Sequence, residues 1–195
     1  MVVQTATVSS TVAAYLGLRM TADEYFALGE TRERYELVDG VVLMSPSPTP
    51  KHQNLIGLIY RLIAAYLDDN PIGQVFLELD VHLGTGPRGG DLVYRPDVMF
   101  LSREKAARVG DRVAETPDLI VEVVSPSSRR FDLETKKADY ERAGVAEYWI
   151  IDPERDAMTF YRLESGRYGE IKPEADTLNS TVLEGFILDL RRVRG

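Results

Sequence analysis

Glu122 stands in the middle of "LIVEVV", an apolar run of strand length from Leu119 to Val124. An isolated ionised carboxylate in a core is expensive, so it must be neutralised, paired or set at a polar cleft. Asp97, in "RPDVMF", opens another short apolar run in the same manner. Two adjacent strands carrying Asp97 and Glu122 toward one edge would make a carboxylate pair, costly when empty and stabilised by a divalent cation. Downstream, in "FDLETKKADYERAG", Asp132, Lys136 and Tyr140 recur every four residues and so share one helical face. Lys137 lies about a third of a turn round, nearer Leu133. A lysine beside a metal-bearing carboxylate pair is the arrangement that phosphodiester hydrolysis needs. The cation acidifies water and polarises the phosphoryl oxygen, and the ammonium stabilises the charge that accumulates there.

Each of these residues also has an ordinary explanation. Asp97 can be a turn residue after Pro96. Glu122 can pair with Arg95 or Arg129, and Lys136 can be an exposed partner of Asp132 on a helix. His82 falls on the polar face of a strand and receives no role.

Composition narrows the chemistry. With no cysteine, disulfides, thiolate metal sites and a cysteine nucleophile are excluded, and a metal must be held by carboxylates, carbonyls and at most two histidines. That donor set favours hard ions such as Mg2+ (or Mn2+) over structural zinc. The net charge of −8 argues against a nucleic-acid coat protein, yet leaves room for an enzyme that meets phosphate in one cleft. Basic residues gather around Arg88–Arg108 and at Arg129, Arg130, Lys136 and Lys137, where solvated faces are the usual explanation. No apolar run is long enough to span a bilayer and no signal-peptide pattern appears, so a cytoplasmic protein without membrane partners is expected.

The elements that must position these residues are legible in outline. Residues 1–19 read as a tail with a helical turn near Ala13–Leu16, and residues 20–195 as one domain. "MTADEYFAL" opens a helix, capped by Thr21 with Glu24 completing a capping box. "RYELVDGVVLMS" is a hairpin turning at Asp39-Gly40. Pro50 suits the first turn of a helix whose apolar face carries Leu55, Leu58, Ile59, Leu62, Ile63 and Tyr66. "QVFLELDVHL" alternates as one half-buried strand, followed by a flexible loop "GTGPRGG", one of the loops from which any sequence specificity would come. "PDVMFLS" and "DLIVEVVS" are buried strands, with a brief helix "REKAARVG" between them. "DLIVEVVS", the lysine-bearing helix and "EYWIID" form a right-handed βαβ crossover. "AMTFYRLESGRYGEI" is a hairpin turning near Ser165-Gly166, and "VLEGFILDLRRV" holds a last strand or turn. Tyr148 and Trp149 suit the core or a subunit interface, and Asp152 a turn before Pro153. The order predicts an α/β (α+β) domain, a mixed sheet with helices against it.

"RPDVMF", "LIVEVVSPSSRRFDLETKKADYERAGVAEYWIIDP" and "RYELVDGVVLMSPSPTPKH" resemble the Uma2 (DUF820) family, placed with the PD-(D/E)XK restriction-endonuclease-like nucleases. The resemblance runs from roughly Met20 to Leu190. It implies a restriction-endonuclease-like mixed sheet flanked by helices and a divalent-metal phosphodiesterase site. On that resemblance Asp97 is the motif aspartate, Glu122 the acid on the next strand, and the Val123 carbonyl a third oxygen ligand. Val124 stands where the strict pattern has lysine; the family lysine matches Lys136, four residues before Tyr140, with Lys137 left open. Glu36 matches a further acid able to hold a second metal, though it can also be an outward residue of an exposed hairpin. His52 is placed near the site as a general base or phosphate contact, or is simply a histidine at a helix start. Tyr140 would orient the lysine. DNA as substrate and a homodimer bringing two sites to two strands are likewise implied. The rivals are a nuclease-fold module that binds DNA or protein without catalysis, and a hydrolase of other phosphate esters.

Overall fold

The computed structural model describes residues 14–45, 47–113 and 115–194. Its first half comprises α1 (Ala22–Ala27), β1 (Tyr35–Val38), β2 (Val41–Met44), α2 (Pro50–Asp69), β3 (Gly73–Leu77), β4 (Val81–Thr85), β5 (Asp91–Tyr94), β6 (Val98–Ser102) and α3 (Arg103–Ala106). There follow β7 (Leu119–Val123), a π-helical turn (Phe131–Lys136), α4 (Lys137–Ala143), β8 (Glu147–Asp152), β9 (Ala157–Glu164), β10 (Arg167–Ile171), β11 (Thr177–Asn179), β12 (Ile187–Asp189) and α5 (Leu190–Arg194). The strands build a six-stranded mixed sheet, β10-β9-β8-β7-β6-β3, a four-stranded antiparallel sheet, β2-β1-β5-β4, and a β11–β12 ribbon. This is the mixed α/β architecture expected, with its strands divided between sheets. β7 and β8 are parallel and joined through the π turn and α4, as the crossover requires.

Strand periodicity sorts side chains into layers. From β7, Leu119, Val121 and Val123 pack with Ile56, Ile59 and Ile63 of α2. Ile120 and Val124 point the other way, into a middle layer with Tyr140 of α4 and Val38, Val81 and Tyr94 of the smaller sheet. Tyr35, Leu37 and Val93 then bury the outer face of the smaller sheet against Ala22 and Tyr25 of α1. Any residue in phase with Ile120 therefore faces the middle layer, and Glu122 is in phase.

Local signals act where they were expected. Thr21 caps α1 with the full capping box. Asp39 and Gly40 turn the β1–β2 hairpin with positive φ, as do Ser165 and Gly166 between β9 and β10. Thr49 caps α2 by accepting from the His52 N–H at 3.2 Å, which fixes His52 in the first turn. Gly144, at φ 86°, ends α4 in the left-handed conformation, and the Gly144 and Val145 N–H groups close on the Tyr140 carbonyl. Tyr148 and Trp149 are fully buried in the core.

The structure departs from the sequence pattern at several places. "QVFLELDVHL" is two strands in different sheets, because Glu78 adopts φ 48° and turns the chain. The polar residues that completed the apparent alternation form the corner: Glu78 pairs with Arg34 and Asp80 with Arg95, both at 2.6 Å. The loop at residues 86–90 is tied to the hairpin, since the Asp39 carboxylate accepts from Gly90 N at 2.8 Å and from Arg88 Nε at 2.6 Å. A Cβ at Gly90 would collide with the Asp39 carbonyl. The helix "FDLETKKADYERAG" begins as a π turn before continuing as α4. β5, β11 and the helical finish of α5 were not apparent from the pattern. Of the turn expected near Ala13–Leu16, Ala13 lies outside the described residues and residues 14–17 form a turn. Gly17, Leu18 and Met20 hydrogen-bond to the hairpin, with Gly17 N donating to the Val42 carbonyl at 2.8 Å.

Candidate active site

Three strands each turn one acid into the middle layer. Glu122 lies between Val121 and Val123, which face α2; Glu36 lies between Tyr35 and Leu37, which face α1; Asp97 immediately precedes β6. The π turn supplies Asp132 and Lys136 from the opposite side. All five are buried, at 4–6 % exposure.

Lys136 is the centre of the group. Its Nζ lies 2.9 Å from Glu122 Oε1 and 2.9 Å from Glu36 Oε1, with Asp132 Oδ1 at 3.8 Å. The rings of Tyr94 and Phe131 lie beneath the ammonium, at 5.4 and 5.8 Å. Tyr94 is itself held by a short hydrogen bond to Asp139, which Arg142 caps at 2.6 Å. The Tyr140 hydroxyl donates to Glu122 Oε1 at 2.7 Å, so lysine and tyrosine grip the same oxygen. Lys137 points elsewhere, over the ring of Tyr161 at 4.7 Å. The alternative partners of Glu122 are taken: Arg95 binds Asp80 and Arg129 binds Asp152.

The other acids are held from the backbone. Asp97 Oδ2 accepts from Val123 N at 2.7 Å, which ties the end of β7 to the start of β6. His52 Nε2 approaches the same oxygen at 3.4 Å, and its Nδ1 is buried without a partner among the described residues. Glu36 accepts from Arg95 N at 3.0 Å and from Ser45 Oγ at 3.2 Å.

Electrostatics follow from this inventory. Burial pushes the Glu122 carboxyl well above the usual carboxylate range; Lys136 opposes the shift, and Asp97, Asp132 and Glu36 add to it. Burial likewise raises Asp132. Burial alone would pull Lys136 down, but Glu122, Glu36 and Asp132 outweigh it and keep the ammonium charged well above its ordinary range. Burial also works against protonated His52, and the hydrogen bond and charge of Asp97 more than compensate. Four carboxylates thus share one lysine and one weakly engaged histidine, which leaves the group short of positive charge.

These residues open on a cavity of about 620 Å³. Glu36, His52, Asp97, Glu122, Val123, Asp132 and Lys136 all line it, whereas Tyr140 and Lys137 do not. Among the described residues Asp97 Oδ1 and Glu122 Oε2 carry no hydrogen bond, in contrast to their partner oxygens. With the Val123 carbonyl they make an all-oxygen donor set that fits a hard divalent cation in type. Among the described residues no three His, Asp or Glu side chains close into a coordination shell. Asp132 was visible on the lysine face but carried no assigned role. The serines of "SPSS" were also passed over: Ser125 and Ser128 exchange hydrogen bonds of 3.1 and 3.2 Å at the cavity rim.

The class of protein comes first from the architecture. A crystal structure described as that of "a putative nuclease belonging to DUF820" from Anabaena variabilis ATCC 29413 superposes with a TM-score of 0.76. It is 21 % identical, over 90 % of this chain and 97 % of that one, so the fold is nuclease-like. Residues 22–191 match the profile of Uma2, described as "Putative restriction endonuclease", and the chain belongs to the Uma2 family. Among curated proteins there is no match. No helix of the described residues is long and apolar enough to cross a membrane.

Proposed function

We propose that the protein is a divalent-metal-dependent endonuclease that hydrolyses phosphodiester bonds in DNA. One observation carries the proposal: buried Glu36, Glu122 and Asp132 surround a single ammonium, with buried Asp97 lining the same 620 Å³ cavity, an assembly deficient in positive charge. Asp97, Glu122 and the Val123 carbonyl would hold Mg2+ or Mn2+. When bound, such a cation polarises a phosphoryl oxygen and acidifies water. Lys136 stabilises the charge that builds on the phosphoryl group, and its grip on Glu122 favours the ionised form against burial and orients the carboxylate. Tyr140 fixes the same carboxylate. Glu36 steadies the ammonium from its second side. His52, with Nε2 near Asp97 and Nδ1 unpartnered, serves as general base or phosphate contact. A homodimer would present two such sites to the two strands of a duplex. The reach of Lys136 to Glu122 speaks against a binding module without catalysis.

The test is calorimetric titration of Mg2+ and Mn2+ into the wild type and Glu122→Ala, with plasmid nicking assayed on the same samples. Binding and nicking are expected in the wild type and neither in the variant. A folded wild type that binds no metal and cuts nothing would overturn the proposal.

A further inference from the structure

We infer that a second cavity, beside the first, is a subsite for the DNA strand that flanks the scissile bond; the inference rests on the endonuclease reading above. This cavity, of about 470 Å³, lies between one face of α2 and the C-terminal helix α5. Lys51 and Pro153 line both cavities, and Lys51 Nζ donates to the Pro153 carbonyl at 2.8 Å, so the pair forms a common sill. Helical spacing puts Lys51, Leu55, Leu58 and Arg61 on one face of α2. Arg192 and Arg194 come from α5.

Charge gives this cavity its direction. Around the catalytic cavity the arginines are spent: Arg34 on Glu78, Arg95 on Asp80 and, behind the serine loop, Arg129 on Asp152. In the second cavity Arg194 is bonded to Asp176, whereas Lys51, Arg61 and Arg192 form no ion pair among the described residues. All three are exposed. Of the two carboxylates in the lining, Asp152 is already matched by Arg129, which leaves Asp156 alone against those three cations. A chain of net charge −8 thus keeps unpaired positive charge next to its acid-rich site, on the side where Lys51 joins the cavities. A polyanion lying across the catalytic acids is drawn to that side. The floor of Leu55, Leu58, Ile151, Met158 and Val193 is apolar, suited to the sugar and base of a nucleotide whose phosphates meet Arg61 and Arg192.

The test measures binding of a short labelled DNA duplex over a salt series in Ca2+, for the wild type, Arg61→Ala/Arg192→Ala, Arg61→Lys/Arg192→Lys, and Arg167→Ala/Lys172→Ala. The last removes two exposed cations from the β9–β10 hairpin, away from both cavities. Hydrolysis of bis(p-nitrophenyl) phosphate in Mn2+ is followed in parallel, because so small a diester needs only the catalytic cavity. The alanine pair at Arg61 and Arg192 should weaken DNA binding by about tenfold or more and flatten the plot of log affinity against log salt by roughly 1.8. The lysine pair should restore most of the loss, the hairpin control should match the wild type, and small-diester turnover should not change. Unaltered affinity and slope in the alanine pair, an equal loss in the hairpin control, or a wild type that does not bind the duplex would each overturn the subsite. Small-diester turnover by the wild type, judged separately, shows whether the catalytic reading survives that failure.

Discussion

Glu122 on β7 and Glu147 on β8 are both buried glutamates in apolar strands that pair with each other, yet they face opposite sides of the sheet and meet opposite company. Glu147, in phase with Trp149, looks toward the α2 side. There Oε1 accepts from Thr181 N at 2.7 Å and Thr181 Oγ1 at 2.6 Å, and Oε2 from Ser180 Oγ at 3.0 Å and Trp149 Nε1 at 3.2 Å. Both oxygens are saturated by fixed donors, with Arg162 at 3.6 Å behind them. Glu122 has one saturated oxygen, one without a hydrogen bond among the described residues, and three further acids around it. A buried acid whose hydrogen bonds all close within the protein clamps the fold, here the 180–181 segment onto β8. An acid left short of donors at the wall of a cavity is costly to the fold, and a cation bound there would offset that cost.

If the contrast is real, conservative changes at the two positions must separate activity from stability. Glu122→Gln keeps an acceptor for Lys136 and Tyr140 but removes the negative charge that a cation needs. Nicking should fall by about a thousandfold or more, while the urea midpoint stays level or rises because one of four crowded acids has gone. A large drop in stability would make Glu122 a clamp like its neighbour. Glu147→Gln should do the reverse. Its amide would meet the Trp149 N–H or the Ser180 hydroxyl donor to donor, at a cost of about 2–3 kcal/mol in urea unfolding, with activity per folded molecule retained. Full stability in that variant would show that the saturated shell contributes nothing and would dissolve the comparison.

What could be read from the sequence follows the range of the interactions. The "LIVEVV" run exposed Glu122 because an acid amid apolar neighbours on both sides is a local anomaly. Glu147 begins its strand in "EYWIID" and passed as a boundary residue, since the Thr181 that explains it lies 34 residues away. Asp132, Lys136 and Tyr140 were grouped by helical spacing, and they remain buried together although the helix opens with a π turn. Spacing could not choose between Lys136 and Lys137; the layer into which the element packs brings Lys136 to Glu122 and Lys137 to Tyr161. Glu36 and His52 were placed by resemblance alone, because their contacts with Lys136 and Asp97 join distant segments. The corner at Glu78 was hidden for the opposite reason. Its polar residues continued the strand alternation while their side chains were committed to Arg34 and Arg95 across the fold.

Asp152, the last residue of β8, is an intermediate case that sharpens the comparison with the smallest expected effect. It is 7 % exposed and neither short of charge nor saturated by neutral donors: Arg129 meets it with two hydrogen bonds, Nε at 2.6 Å and the terminal nitrogen at 2.7 Å. That hydrogen bond, opposed by partial burial and aided by backbone N–H groups, holds the carboxyl below the usual aspartate range. A carboxyl more acidic in the folded than in the unfolded chain contributes stability that is fully present above the unfolded value, about 3.9, and is lost as pH falls through the folded one. Asp152→Asn should therefore melt roughly 3 °C below the wild type at neutral pH. The gap should hold down to mildly acidic pH and close once the wild-type carboxyl is itself protonated. Glu147→Gln, which sets an amide N–H against donors and takes the charge from beside Arg162, should show a larger deficit at the same neutral pH. Melting curves of the two variants at neutral pH decide the matter, because two equal gaps would mean that a single arginine and a full shell of fixed donors stabilise a buried acid to the same extent.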